Sequence, residues 1–315
     1  MTALPKDSRL AAGDPDAELA ATFDRDGFVI FDPEIEPAMI ESALTEVRDR
    51  FVETRVPYYA DATRIIDAWQ FSPSVRHIAT APRVTRLLRK LYGRRPIPFQ
   101  TLNFRVGSEQ KTHSDTIHFE SYPHGFMCGV WVALEDVDER NGPLHYFPTS
   151  QSLPIYSIQD LGIEPGLPDD FYRNYDQYET KVETLMRESA LDRAILSLER
   201  GQALIWAANL FHGGDPIRER TRTRMSQVTH FFFEDCLYYT PLISDWDNGR
   251  VWLRVVHDIT TGRDVAHRYG ERRFRPPAPG YADLGAPDNL PNRGLPPLRE
   301  RFADLVTRAR QTFRR

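Results

Sequence analysis

Three things are scarce in this chain, and each scarcity excludes a class of protein. Only 2 cysteines occur in 315 residues, which is too few for the disulfide framework of a secreted scaffold, so Cys128 and Cys236 are expected to be reduced thiols. No apolar run reaches the roughly 20 residues that a membrane-spanning helix needs. The net charge is only −5 and the isoelectric point is near 6.0, which argues against nucleic acid as the main partner.

The rest of the composition is that of a globular protein. A hydrophobic content of 41% in a chain of this length can bury a substantial core. The first residues are polar and lack the charged and apolar regions of a signal peptide, so the cytoplasm is the expected compartment. We predict a single domain over residues 1–315, with a flexible segment at 1–18, a lid-like insertion at 155–192, and a Pro-rich and then helical extension at 270–315.

Hydrophobic periodicity predicts short strands mixed with a few amphipathic helices. Helical spacing of apolar residues follows Pro37 and Pro82, with Gly93 placed to end the second helix. Apolar runs of strand length are bounded by turn residues. The predicted helices cover residues 37–51, 82–92 and 169–191, and the predicted strands cover 98–106, 126–134, 194–198, 203–207 and 225–233.

The sequence His113-Ser114-Asp115, with His212 much later in the chain, has the composition of a metal site. On an extended strand, residues i and i+2 point to the same side and can share a metal. Two imidazoles and one carboxylate on one face of an octahedron leave three positions open, as an Fe(II) that must bind a cosubstrate and O2 requires. Such a tripeptide is common by chance, so the hypothesis depends on the strand-like runs that precede both segments.

A second cluster of polar residues follows His212, where four arginines precede an apolar strand. Arg224 and Ser226 share one face of that strand if side chains alternate. A guanidinium beside a hydroxyl suits a carboxylate, and the far carboxylate of 2-oxoglutarate is the natural candidate. Arg218 and Arg220 precede the strand and are interpreted as a solvated surface.

Several segments together resemble the phytanoyl-CoA dioxygenase family of Fe(II)/2-oxoglutarate oxygenases. Their order and spacing agree with the family over roughly residues 20–235. The matching pieces are 23–30 (FDRDGFVI), Asn103, 113–115 (HSD), 131–136 (WVALED), 141–144 (NGPL) and the segment 212–226.

This resemblance implies a mainly β fold with flanking helices, namely a double-stranded β-helix, the jelly-roll of the cupin type. It also implies a bound Fe(II), 2-oxoglutarate as cosubstrate, and O2. The implied metal ligands are His113, Asp115 and His212, and the implied cosubstrate contacts are Arg224, Ser226, Asn103 and Trp131. Core packing explains Trp131 equally well.

Two positions depart from the family pattern. Gly214 stands where family members commonly have serine, two residues after the distal histidine. The family arginine usually lies eleven residues after that histidine, where this chain has Thr223 between Arg222 and Arg224. Arg224 is the preferred anchor because Ser226 follows it at the expected distance, and Arg222 remains the alternative.

The substrate is indicated only in outline. His118, Phe119 and Glu120 directly follow the metal motif, and tyrosines are frequent in the predicted insertion. Their polarity favours a small-molecule substrate such as an amino acid, a sugar or a glycosylated natural product over a fatty acyl-CoA. Related halogenases replace the carboxylate ligand with a small residue, so Asp115 favours hydroxylation over halogenation.

Several alternatives remain open at this stage. Desaturation, epimerisation and oxidative cyclisation are other outcomes within the family. A non-catalytic cupin-like binding protein and a zinc hydrolase with the same three ligands belong to other classes. Neither a nucleic acid nor a membrane is expected as a partner, and the sequence does not indicate an oligomeric state.

Overall fold

The computed structural model describes residues 13–51, 64–165, 170–246 and 248–283. In this part of the chain, five α-helices and seventeen strands follow one another. The helices are α1 (Ala17–Asp26), α2 (Pro37–Val47), α3 (Pro73–Ala79), α4 (Pro82–Tyr92) and α5 (Phe171–Ser189). The strands are β1 (Phe28–Phe31), β2 (Arg64–Ile66), β3 (Pro96–Phe104), β4 (Glu120–Tyr122), β5 (Met127–Ala133), β6 (Leu144–Tyr146), β7 (Ala194–Ile195), β8 (Ala203–Ala207), β9 (His212–Gly214), β10 (Ser226–Phe233), β11 (Leu237–Tyr239), β12 (Arg250–Leu253), β13 (His257–Asp258), β14 (Arg263–Asp264), β15 (His267–Tyr269), β16 (Arg272–Phe274) and β17 (Gly280–Asp283).

A six-stranded antiparallel sheet in the order β1-β8-β5-β10-β3-β2 forms the main layer. Its strand β10 pairs with β3 on one side and β5 on the other, so Ser226 lies opposite both Phe104 and Ala133. Every residue of β5, β8 and β10 is buried. Such continuous burial requires that both faces of the sheet are covered.

Helices α1 to α4 cover one face of this sheet. Residues that alternate along β5 and β8, such as Val130 and Ile205, share a core with helical residues such as Leu44 and Leu87. Pro37 and Pro82 occupy first-turn positions, and Gly93 ends α4 with a φ of 69°. The predicted helix at 82–92 is confirmed, and the one at 37–51 ends at Val47 and continues as a single 3-10 turn.

The other face of the main sheet packs against a smaller antiparallel sheet in the order β7-β6-β9. The side chains between the two layers include Phe104, Trp131, Leu204, Trp206 and Tyr146. An isolated bridge between His113 and His212 adds one more chain segment next to β9. Two antiparallel sheets packed in this way form the predicted jelly-roll.

The remaining strands lie beyond these two layers. Strands β17, β12, β11 and β4 form a four-stranded sheet, and β13-β14 and β15-β16 are hairpins. Helix α5, within the predicted segment 169–191, packs its Tyr178, Val182 and Leu185 against Phe211 and other apolar residues. In the part of the chain that the structure describes, no helix is both long and apolar enough to cross a bilayer.

The structure differs from the sequence prediction in three places. Only two residues of the predicted strand 194–198 form a strand, and Leu198 instead makes an isolated bridge with Val137. Residues 270–283 include the strands β16 and β17, which were not predicted. The predicted C-terminal helix lies outside the described residues. Helix α1 begins at Ala17, so residues 17 and 18 of the predicted 1–18 segment are helical.

Candidate active site

His113, Asp115 and His212 come together between the two layers of the jelly-roll. One ligand atom from each lies within 4.8 Å of the other two, and all three residues are buried. Oδ1 of Asp115 is 3.7 Å from Nε2 of His113 and 3.9 Å from Nε2 of His212. The two imidazole centres are 4.6 Å apart. The three residues that the sequence singled out therefore form one compact group.

The local backbone differs from the strand that the motif suggested. His113 pairs with His212 through backbone hydrogen bonds of 2.8 and 2.9 Å, whereas Asp115 begins a 3-10 turn, Asp115–Ile117. The hydroxyl of Ser114 accepts from the backbone N–H of Thr116 and donates to the carbonyl oxygen of Ala208, which fixes this turn at the end of β8. Ser114 keeps an extended backbone, with φ −116° and ψ 137°, so His113 and Asp115 project to the same side as alternation predicts, and the chain turns only from Asp115 onward.

Hydrogen bonds outside the triad orient each member of it. Nδ1 of His113 contacts the carbonyl of Lys111 at 2.9 Å, and Nδ1 of His212 contacts the carbonyl of Leu210 at 3.0 Å. A carbonyl only accepts, so each Nδ1 carries the proton and each Nε2 keeps its lone pair. Nε1 of Trp206 donates to Oδ2 of Asp115 at 2.8 Å, which leaves Oδ1 directed at the imidazoles.

Burial sets the charge of this group. Desolvation lowers the pKa of His113 to about 3, so its imidazole is neutral near pH 7. Burial alone would raise the pKa of Asp115, but His212, the other imidazoles and the Trp206 hydrogen bond outweigh it, and the pKa lies below its usual value. Neutral imidazoles and an ionised carboxylate are the forms that bind a divalent metal. The donor set, two nitrogens and one oxygen with outer hydrogen bonds in place, fits Fe(II).

The triad opens into a cavity of about 310 Å³, within the size range of small-molecule sites. Residues of both sheets and of helix α5 contribute to its wall. The lining residues include Gln100, Leu102, Phe104, Ser108, Gln110, His118, Phe119, Trp131, Phe171, Tyr172, Trp206, Arg224, Val228, His230, Thr240 and Arg254.

Arg224 is almost completely buried at the edge of this cavity, with 1% of its surface exposed. Its guanidinium lies 5.2 Å from the ring centre of Trp131 and 5.7 Å from that of Phe104. Nη2 donates to the carbonyl of Val106 at 3.2 Å, while Nε and Nη1 find no hydrogen-bond partner among the described residues. Burial lowers its pKa to about 10, which still leaves it cationic near pH 7. A buried cation with two free donors fits an external carboxylate.

Ser226 lies two residues further along, on the strand β10. It is fully buried, and its Oγ has no hydrogen-bond partner among the described residues. Arg222, in contrast, points to the surface and pairs with Asp138 at 2.9 Å. Arg222 is held at the surface by this ion pair and does not line the cavity. The geometry therefore separates the two candidate anchors that the sequence left open.

The structure does not bring all predicted site residues to the cavity. Nδ2 of Asn103 is 3.4 Å from Oε1 of Gln227, whose own amide donates to Val75 in α3. Asn103 thus faces the helical side of the main sheet, because its neighbour Leu102 faces the cavity. Glu120 is also turned away, with its Oε1 accepting from the backbone of Ser121. His118, Phe119 and Trp131 do line the cavity.

The space beside Gly214, where family members commonly have a serine, is filled by another serine of this chain. A Cβ on Gly214 would stand 2.6 Å from Oγ of Ser108 and 2.8 Å from the backbone nitrogen of Glu109. A serine has no room at position 214 in this arrangement. The hydroxyl of Ser108, which lines the cavity, occupies that space instead.

Four further residues at the site were missed by the sequence reasoning. His230 continues the face of Arg224 and Ser226 along β10, so strand alternation alone could have indicated it. No sequence pattern indicates Trp206 or Gln110. Nε2 of Gln110 donates to the Tyr175 hydroxyl at 2.9 Å and lies 3.3 Å from Nε2 of His113. Arg254 likewise reaches the cavity only through the fold.

A jelly-roll with a buried pair of histidines and one carboxylate is the arrangement typical of non-haem Fe(II) oxygenases, a class that includes the 2-oxoglutarate-dependent enzymes. The model of the phytanoyl-CoA dioxygenase family matches residues 23–225, well over half of the chain. The protein therefore belongs to the phytanoyl-CoA dioxygenase family.

Curated relatives match a short part of the chain. Phytanoyl-CoA dioxygenase domain-containing protein 1 of Danio rerio is 30% identical over 86 residues, which is 26% of this chain and 30% of that protein. The Mus musculus protein of the same name is 31% identical over 84 residues, or 25% and 29% of the two chains. The matched segment thus spans about 30% of the length of these relatives.

Solved structures with the same fold cover most of the chain. The alpha-ketoglutarate-dependent epimerase SnoN from nogalamycin biosynthesis has a TM-score of 0.54 at 20% identity, covering 71% of this chain and 86% of that one. The carbocyclase SnoK from the same biosynthesis gives 0.58 at 13%, covering 73% and 88%. EctD from S. alaskensis, solved with 2-oxoglutarate and 5-hydroxyectoine, gives 0.53 at 17%, covering 74% and 81%. At these identities the likeness is one of fold.

Proposed function

We propose that this protein is an Fe(II)- and 2-oxoglutarate-dependent dioxygenase that hydroxylates a small polar substrate. The observation that carries the proposal is the combination, in one cavity, of a buried metal-ligand triad and a buried arginine with two free donors. A metal site alone suits many proteins. An unpaired guanidinium in the same cavity is what a dicarboxylate cosubstrate needs.

Each residue then has a defined task. His113, Asp115 and His212 would hold Fe(II), and Arg224 with Ser226 would hold the far carboxylate of 2-oxoglutarate. Ser108 would supply the hydroxyl that family members take from the position of Gly214. Bound iron supplies the redox chemistry that couples conversion of 2-oxoglutarate to succinate with oxidation of a substrate C–H bond by O2.

The chain itself contributes orientation and shielding. Trp206 holds one oxygen of Asp115, so the other oxygen stays directed at the metal position. Trp131 lies against the Arg224 guanidinium and keeps water away from it. On the opposite side of the triad, His118, Phe119 and the first turn of α5 line the space that a substrate would occupy. This enclosure limits oxidation of anything except the bound substrate.

The polar groups on that side favour a polar substrate of specialised metabolism, such as an amino acid, a sugar or a glycosylated natural product. Asp115 favours hydroxylation over halogenation, since it would fill the position that a halide takes. Desaturation, epimerisation and cyclisation use the same iron site, and product analysis by mass spectrometry distinguishes them.

Two other classes fit less well. Many zinc hydrolases use a second carboxylate as the general base, whereas Asp115, which would itself hold the metal, is the only carboxylate among the described residues that line the cavity. A non-catalytic binding protein with a structural metal has no use for the two free donors of Arg224. The same experiment separates all three classes.

The experiment starts with anaerobic addition of Fe(II) and 2-oxoglutarate to the purified protein. The expected result is a weak visible charge-transfer band, followed by succinate after admission of air. Arg222→Ala serves as a matched control, because Arg222 is a surface arginine from the same segment. Absence of both the band and succinate in the wild-type protein would overturn the proposal.

A further inference from the structure

A second arginine reaches the cavity on the side away from Arg224. Arg254 directly follows β12, and its guanidinium lies 4.6 Å from the ring centre of Phe119. Phe119 in turn lies 5.0 Å from the ring centre of His230, and Nε2 of His230 is 3.9 Å from Oδ2 of Asp115. Arg254 is thus separated from the triad by the rings of Phe119 and His230.

The two arginines lie towards opposite ends of the cavity. Arg224 lies two residues before β10 and His230 lies within it, and six residues of extended chain place their backbones on the order of 20 Å apart. Arg224 packs on Trp131 at one end, whereas Arg254 packs on Phe119 beside His230 at the other. A cosubstrate held by Arg224 therefore leaves Arg254 for a different molecule.

The charge of Arg254 is not matched by the protein. Its guanidinium makes one hydrogen bond among the described residues, at 3.0 Å to the neutral hydroxyl of Thr240, and no ion pair within 4.0 Å. Asp67 attracts it only at longer range and already accepts from Thr101 and Trp69. A partly buried guanidinium with so little compensation is costly unless a ligand supplies the anion.

The cavity as a whole has an excess of positive charge. Arg224 and Arg254 line it, and Asp115 is the only acidic residue among the described residues that do so. An iron ion and 2-oxoglutarate would carry opposite charges of equal size, so they would not remove this excess.

We propose that Arg254 forms an anion subsite that binds an acidic group of the primary substrate. The inference rests on the proposed function and narrows its substrate class from polar to anionic, with a carboxylate or phosphate as the group held. The planar guanidinium fits either group through paired hydrogen bonds. The rest of the substrate would extend past Phe119 and His230 towards the metal position.

The test measures binding of small acids to the protein loaded with Fe(II) and saturating 2-oxoglutarate without O2. The probes are hexanoate, benzoate and hexyl phosphate, each compared by calorimetry with its uncharged counterpart, namely hexanamide, benzamide or 1-hexanol. At least one acid should bind about 10- to 100-fold more tightly than its counterpart. The preferred acid tells a carboxylate site from a phosphate site.

Three variants assign this preference to a residue. Arg254→Gln, which can still donate to Thr240, should lose the preference, and Arg254→Lys should keep part of it. Arg222→Gln is the matched control and should behave as the wild type. The thermal midpoint of each variant, measured beforehand, identifies a folding defect. Equal binding of acids and neutral probes by the wild type, no binding of any acid, or a preference that survives in Arg254→Gln would overturn the proposal.

Failure of the anion subsite is distinguishable from failure of the dioxygenase assignment. The charge-transfer band of iron and 2-oxoglutarate reports on the assignment and should be unchanged in Arg254→Gln. If the wild type gives no band, an acid preference that requires Arg254 but not Arg224 still supports the subsite. A rise in the apparent KM for 2-oxoglutarate in Arg254→Gln would indicate that Arg254 binds the cosubstrate, which would contradict the proposal.

Discussion

Replacement of Arg224 by alanine tests the cosubstrate end of the site. The guanidinium is buried and has two donors free for a ligand. Loss of one partner from a desolvated charge pair costs on the order of 2–5 kcal/mol, largely because the other charge stays buried and unpaired. Since every 1.4 kcal/mol is tenfold, the apparent KM for 2-oxoglutarate should rise about 30-fold or more. Succinate formation at varied 2-oxoglutarate concentrations measures this change.

The matched control for this variant is Arg222→Ala. Arg222 pairs with Asp138 at the surface, and its side chain is 31% exposed. Exposed ion pairs contribute about 0–1 kcal/mol, so the KM for 2-oxoglutarate should stay within about fivefold of the wild-type value. Arg224→Lys should recover only part of the affinity, because an ammonium group lacks the planar fork. A larger effect at Arg222 than at Arg224 would refute the assignment and also remove the role of Ser226.

Two further variants test the metal end, and a third tests the packing around Trp206. His212→Ala removes one of the three proposed ligands, so iron content after dialysis should fall to background with the thermal midpoint retained. Iron bound as in the wild type would exclude His212 as a ligand. Trp206→Phe removes the 2.8 Å hydrogen bond to Asp115 and should weaken Fe(II) binding, measured by titration, about 10- to 100-fold. An unchanged affinity would show that Asp115 does not need this hydrogen bond to bind Fe(II). Gly129→Ala places a Cβ inside the van der Waals radius of the Trp206 ring and should lower the free energy of unfolding in urea by about 1–3 kcal/mol. Gly280→Ala, with open space around it, should leave the free energy of unfolding unchanged.

The sequence by itself determined which donor groups are present and most of the elements around them. His113, Asp115 and His212 were singled out from residue type and spacing, and the family pattern predicted that they form one group, as the structure shows. Strand alternation then predicted that Arg224, which precedes β10, shares a face with Ser226. These inferences succeed because a strand has a fixed period of two, which holds whatever the strand packs against.

The tertiary structure alone decided which face of each strand meets the cavity. Alternation predicts that Asn103 and Leu102 point to opposite sides, but only the packing of α3 against Gln227 shows that Asn103 faces the helices. The choice between Arg222 and Arg224 is of the same kind, because it depends on where the strand begins and on the surface partner Asp138.

The supporting residues and the second arginine also depend on tertiary structure. Trp206 contacts Asp115, and Arg254 contacts Phe119, across large separations in the sequence. Such contacts arise when segments distant in the sequence pack together, and no local pattern encodes them. The sequence thus fixes which groups are available for metal and carboxylate binding, whereas the packing of the two layers decides which of them share a cavity and which charges there remain unmatched.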